Sequence, residues 1–484
     1  MLTRRDLKNS IFLVGAETIS RGIAVVLIII IARQMGVIQF GLYSTAISFV
    51  FLFSVFIEIG LSTYVFREIS LNPQLTSQYI ITALSIQTAL SIAFGLIAYA
   101  TTLTLNYSSD TRTAIGFFWI WMVFISLGRM IRVVFKAQQR MEIEAAINIF
   151  ENGVRFILVL IALYLGYGVL GIAVASIISA MLMLILSAII ASNKYMHFSI
   201  TWDMHLAISL AKAAFPFAVS IICSVIMYRS SIVILSVIKG NFEVGIFGAS
   251  FRLTMALFFI PALICQVFFS KMSQYAVNNN EQYGKIVILL IRYVFLLVYP
   301  LLMLIFILAP QIIGTIYTEE FLSTIPVLRI LVWVNLLNAG SYIGIYALNA
   351  IGHEKKVMQI LMLALTIKFI LSTVLTLLSG FIGTAVATLA SEVIVTLLLF
   401  NYLYHKIEVD LLRQTLLQIS VIITVSFLTI SLGFYANLNS LVTIILFISI
   451  FVTTIGFLKF VTFHDLTKLK QLIIPKPNSF TTNN

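Results

Sequence analysis

The chain has 484 residues, 61% of them hydrophobic and only 10% charged, with a net charge of +12. A soluble domain carries about a quarter charged residues, so a mostly water-exposed protein is excluded, and the mean hydropathy of +1.08 is that of a polytopic membrane protein. Cys223 and Cys265 both fall in apolar runs, which predicts buried free thiols rather than a disulfide framework.

The start, MLTRRDLKNS, is basic but leads into a span-length apolar run without a small-residue cleavage site, so no cleavable signal is expected. From there, windows of about twenty apolar residues, enough to cross a hydrocarbon core of roughly 30 Å, follow one another along the chain. They lie at 11–32, 42–64, 79–101, 113–134, 147–165, 169–190 and 215–237. They continue at 245–269, 286–309, 325–348, 358–378, 382–404, 415–435 and 440–460. A helix satisfies its own backbone in lipid, and the period-two alternation of a barrel is absent. The fold class is therefore all-α, with about 14 transmembrane helices.

Placing the N-terminus inside sorts 20 of the 30 lysines and arginines into cytoplasmic segments. Only Arg33, Arg112 and Lys239 fall outside, and seven lie within spans. This bias predicts that both termini are cytoplasmic. It also accounts for the basic balance without nucleic acid as a partner. No outer connection exceeds about fifteen residues, which leaves no room for a soluble catalytic domain. The polar tail 463–484 is expected to be disordered.

The chain repeats itself. GVIQFGLYSTAIS at 36–48 answers GNFEVGIFGASFR at 240–252, and GVLGIAVASIIS at 168–179 answers GFIGTAVATLAS at 380–391. Arg155-Phe156-Ile157-Leu158 likewise answers Lys368-Phe369-Ile370-Leu371. Three matches in one order indicate duplication. Each copy holds six spans, an even number, so the two share one orientation and form parallel lobes. The expected organisation is an N-lobe at 1–205 (spans 1–6) and a C-lobe at 206–410 (spans 7–12). Two accessory spans at 411–462 and the tail 463–484 follow. The paired glycines serve tight turns and close helix approach, with no substrate contact assigned to them.

Several stretches resemble the multidrug/oligosaccharidyl-lipid/polysaccharide exporter superfamily, and within it the Wzx-type O-antigen and polysaccharide flippases. They are AETISRGIAVV and ARQMGVIQFGLYSTA in spans 1–2, EIGLSTYVFREI at 58–69, GIFGASFRLTMALFFIPALICQVFFSKMSQ at 245–274, and IIGTIYTEEFLSTIPVLRIL at 312–331. The resemblance implies two lobes around a central cavity that opens to alternate sides. It implies as substrate an undecaprenyl-pyrophosphate-linked oligosaccharide of the O-antigen or capsule type, moved across the inner membrane. A polysaccharide polymerase and a chain-length regulator would be partners. Spans 13–14 would offer a groove for the prenyl tail.

Ionisable residues inside spans are costly and mark function. Glu17 and Arg21 lie one turn apart on a polar face of span 1, where they can meet. Ser44, Ser48, Glu58 and Ser62 fall on one arc of span 2. Span 7 carries Arg229 beside a serine and tyrosine stripe that includes Ser220 and Ser224. Arg252 follows the second glycine turn at a position that, by the resemblance, is basic and lines the cavity. Arg155 and Lys368 are counterparts in the two lobes, either phosphate contacts or an inherited structural feature; Glu151, one turn before Arg155, favours the latter. Arg292 and Arg329 lie near span ends, where they can snorkel. The interior is net positive, which suits the phosphates of a lipid-linked sugar and disfavours a cation exporter. Glu58 and Glu392 are candidates to carry a coupling proton or Na⁺. Pro261 and Pro300 are candidate bends.

No P-loop, zinc motif or nucleophile–base set occurs, so a transporter without a cofactor is expected rather than an enzyme. The alternatives are a multidrug or cation antiporter of the same superfamily and, from another class, a membrane polysaccharide polymerase.

Overall fold

The computed structural model describes residues 4–196, 204–255, 259–278, 280–407 and 409–460. Within some helices the description covers the backbone only; the side chains of Glu17, Ser220 and Ser224 and the tail 463–484 lie outside the described residues. Among the described residues there is no strand. The first part of the chain folds as α1 (Arg4–Glu58), α2 (Leu61–Leu71), α3 (Thr76–Thr104), α4 (Ser109–Ala137), α5 (Met141–Tyr164) and α6 (Gly168–Lys194). Then come α7 (Met204–Lys239), α8 (Asn241–Met255), α9 (Phe259–Asn278) and α10 (Asn280–Ile316). The last are α11 (Thr324–Ala350), α12 (Glu354–Tyr404), α13 (Val409–Tyr435) and α14 (Ser440–Phe457). Ten helices among the described residues are long and apolar enough to cross a membrane. This is an all-α polytopic membrane protein.

The 55 residues of α1 would reach about 80 Å as one straight rod at 1.5 Å per residue, far beyond a bilayer. The helix instead breaks at Gly36 (φ 69°, ψ 176°), so spans 1 and 2 are joined through a single left-handed glycine. The 51 residues of α12 break the same way at Ser379 and Gly380 (φ 56°, ψ −132°). Gly168 (φ 59°) and Gly240 (φ 80°) complete the set. All four glycines that open the repeated blocks thus occupy the conformation glycine adopts at least cost. Gly41, by contrast, is helical; its missing side chain has another use, described below.

Contacts divide the chain into two compact units. One holds 1–256, 313–327 and 361–391; the other holds 257–312, 328–360 and 392–484. The first is knitted by a core in which Leu61, Val65 and Ile69 of α2 meet Ile80 of α3, Met130, Ile131, Val133, Val134 and Phe135 of α4 and Met183 of α6. In the second, Tyr299 stacks on Phe295 at 4.8 Å and packs against Phe447 and Phe451 of α14. That unit also carries a half-open apolar pocket of about 250 Å³ between α10, α11, α12 and α13. Cys223 and Cys265 are both buried free thiols. Pro261 lies in α9 and Pro300 inside α10.

Candidate functional site

The first unit brings together side chains that the sequence scatters over two hundred positions. Phe40, Tyr43, Phe118, Trp121 and Phe51 form one chain of touching rings, contributed by α1 and α4. Successive centroids lie 6.2, 5.6, 6.0 and 6.3 Å apart. Three arginines ride on it. The Arg252 guanidinium sits 5.1 Å from the Tyr43 ring and 5.8 Å from Phe40. Arg229 sits 4.6 Å from Phe51, and Arg155 sits 4.6 Å from Trp121. Each is within the distance at which a ring face attracts a cation, an attraction that strengthens when water is excluded. Arg229 also feels the charge of Arg252.

The arginines of this unit therefore fall into two sets. Arg129 pairs with Glu58 at 3.1 Å, and Arg132 pairs with Glu151 at 2.9 Å. Arg155, Arg229 and Arg252 have no carboxylate partner among the described residues; Arg155 spends one donor on the Ser176 hydroxyl at 3.2 Å. On the same two helices, the hydroxyls of Ser44 and Ser48 and the indole N–H of Trp121 are buried with no protein partner among the described residues. Buried polar groups ordinarily have one. The region thus offers guanidinium donors, hydroxyls and an indole N–H, with no carboxylate paired to its arginines among the described residues. Its chemistry is that of an anion site.

Other expected residues lie elsewhere. Arg21 is exposed on α1. Glu58 is half-buried and held by Arg129, and the arc joining it to Ser62 is broken by Ile59 (φ 34°) and Gly60 (φ 70°). Lys368 is only 3% exposed and donates to the Met227 carbonyl of α7. Glu392 is buried, at 5% exposed. Glu151 bonds Arg132 rather than Arg155, and Arg132 is buried inside α4. In the second unit Arg292 bonds Thr415 and faces Phe460, and Arg329 lies over Phe306 and Phe434.

Buried ion pairs of the Arg132–Glu151 kind carry a sharp prediction. Glu151→Gln leaves the guanidinium desolvated without its counter-charge, which costs about 3–5 kcal/mol. Thermal unfolding of the purified protein should show a large fall in Tm, whereas Glu142→Gln, in an exposed pair with Arg140, should change it little.

At the Gly36 turn, α1 and α8 approach to backbone contact. A Cβ on Gly41 would lie 1.7 Å from the Asn241 carbonyl oxygen, and one on Gly245 would lie 2.1 Å from the Val37 carbonyl oxygen. Gly41 and Gly245 are counterparts in the repeat, as are Val37 and Asn241. The contact is therefore reciprocal about a pseudo-two-fold axis. Two carboxylates that sequence reasoning passed over cap the neighbouring turns. Glu320 accepts from the Val37 N–H at 3.2 Å, and Glu243 accepts from the Phe381 N–H at 2.7 Å. Each N–H follows a left-handed glycine and opens a helix, where negative charge is favoured. Asn241 adds side-chain bonds to Thr45 and Thr111. Tyr107 bonds Ser236 at 2.6 Å, and burial pushes its hydroxyl up to about 12, so it stays protonated at physiological pH.

The fold is that of an all-α polytopic membrane protein. The chain belongs to the polysaccharide biosynthesis protein family, whose sequence profile it matches over residues 7–276. Its structure is similar to lipid II flippase MurJ in an inward closed conformation, with a TM-score of 0.73, 16% identity, and 94% of this chain and 100% of that one covered. It is also similar to an inward-facing multidrug resistance MATE family transporter of the MOP superfamily, with a TM-score of 0.64, 14% identity, and coverage of 80% and 94%. A MOP superfamily transporter from Pyrococcus furiosus matches with a TM-score of 0.56, 15% identity, and coverage of 82% and 95%. At such identities the likeness is one of fold. No curated protein matches by sequence.

Proposed function

We propose that the protein is a flippase for an undecaprenyl-pyrophosphate-linked oligosaccharide repeat unit, of the O-antigen or capsule type. It would act in the bacterial cytoplasmic membrane by alternating access, with both termini in the cytoplasm. The observation that carries this reading is the set of three arginines held on rings without carboxylates. Two phosphates need charge-assisted donors to enter a low-dielectric interior, and a drug-cation exporter would need the opposite sign. Membership of a polysaccharide biosynthesis family supports a glycan-bearing cargo. The repeated lobes 1–205 and 206–410 supply the two halves of an alternating machine. The apolar cavity lined by Ile291, Phe295, Leu336, Ile343, Phe400 and Ile419 suits a prenyl tail. Glu58 and Glu392 are the carboxylates proposed to couple transport to a proton or Na⁺. A polymerase and a chain-length regulator would receive the product.

Deleting the gene and analysing lipid-linked sugars tests the proposal. The expected result is loss of surface glycan with undecaprenyl-linked repeat units accumulating on the inner leaflet. Intact surface glycan with altered drug tolerance would overturn it in favour of an antiporter.

A further inference from the structure

Resting on the flippase reading, we propose that Phe51, Trp121 and Tyr43 are positioning residues that hold Arg229, Arg155 and Arg252 ready for a diphosphate. The alternative way to stabilise a buried arginine is visible in the same protein. Arg132 and Glu151 make a 2.9 Å ion pair, which occupies guanidinium donors and neutralises the charge. An arginine held so must break that pair before it can bind phosphate, leaving a buried carboxylate behind. A ring makes no such demand. Its attraction acts through the face quadrupole and takes up no N–H, so the five donors of a guanidinium, less the one that Arg155 gives to Ser176, stay available for phosphate oxygens.

Geometry supports this division. The rings touch one another in sequence, so the three cations are indexed to one rigid strip rather than to independent rotamers. Tyr43, Phe118 and Trp121 are 2%, 0% and 4% exposed, too buried to stack on a sugar. Tyr43 and Trp121 instead support the guanidinium groups of Arg252 and Arg155, and Phe118 joins their rings. The strip also holds cations together against their mutual repulsion, which an anionic ligand would relieve. Phe51 is the informative member: it is half-buried, so its replacement leaves little cavity, and it bridges Arg229 to Trp121.

The test is binding to the full-length protein in lipid nanodiscs, with undecaprenyl diphosphate and undecaprenol as paired probes. In the parent, undecaprenyl diphosphate should bind more tightly than undecaprenol. Phe51→Leu should weaken the diphosphate by about 10-fold, the scale of a desolvated cation–π contact, while leaving undecaprenol unchanged. Phe51→Tyr should restore it. Progressive fluorination of the ring at position 51 should weaken diphosphate binding in step with fluorine number at constant Tm. Equal diphosphate affinity in parent, leucine and fluorinated forms would overturn the inference while leaving the flippase reading intact. A parent that binds both probes equally would instead overturn the substrate reading itself, and this inference with it.

Discussion

Arg252→Ala should stop surface glycan assembly while the protein remains in the membrane at its normal amount, and Arg229→Ala should do the same. The separation of activity from stability follows from what each arginine touches. Neither has a carboxylate among the described residues, so removal orphans no buried charge; the loss is a ring contact of about 0.5–2 kcal/mol. The cargo loses more. Each charge-assisted bond to a phosphate oxygen contributes about 1.5–3 kcal/mol, equivalent to roughly 10- to 150-fold in affinity for one bond. Immunoblots of the membrane fraction and of the surface glycan measure the two quantities separately. Normal glycan in both variants would remove these residues from the mechanism. Arg132→Ala, which leaves Glu151 buried alone, should instead lower the protein amount.

Gly41→Val and Gly245→Val should each force α1 and α8 apart at the Gly36 end. The atoms in the way are backbone carbonyls, 1.7 and 2.1 Å from the added Cβ, and a carbonyl locked in a helix cannot swing aside as a side chain can. Overpacking of this kind costs about 1–3 kcal/mol. Separation can be read from a disulfide. A Cβ built on Gly248 lies 3.3 Å from the Ser44 Cβ, close to the roughly 3.5–4.5 Å of natural bridges. The double variant Ser44→Cys with Gly248→Cys should therefore cross-link efficiently under mild oxidation. Adding either valine should abolish the cross-link and lower Tm by several degrees. Equal cross-linking with and without valine would show that the close approach is not maintained. If alternating access operates, the cross-linked protein should also be inactive until reduced.

The fold was legible because lipid simplifies the problem. Apolar runs of span length have one stable outcome, and the glycine blocks at 36, 168, 240 and 380 located turns that the structure makes with left-handed glycines. The arginines were legible for the same reason, since a charge in such a run stands out. Their partners were not. Glu151 lies one turn from Arg155, and proximity along the helix suggested that pair, yet Glu151 reaches across to Arg132 of α4 instead. Helical spacing says which side chains share a face; it does not say which helix faces them. The arc from Ser44 to Ser62 failed where Gly60 breaks the helix, because the arithmetic assumed a continuous 100° step. The aromatic strip left one trace, the spacing of Phe40 from Tyr43 and of Phe118 from Trp121. With Phe making up 38 of 484 residues, that trace is indistinguishable from ordinary lipid-facing composition.

The reciprocal contact between α1 and α8 has a further meaning. Gly41 against Asn241 and Gly245 against Val37 is the arrangement that two identical subunits make across a two-fold axis, each giving the same patch and receiving the same patch. Two copies of a single six-span chain could meet in this way with no change of residue at the paired glycines. The seam is in effect a homodimer interface carried inside one polypeptide. Substitutions there act twice, because each half of the seam is completed by its counterpart, whereas Arg252, whose counterpart in the repeat is Ser48, lies outside the paired glycine contacts and is free to differ.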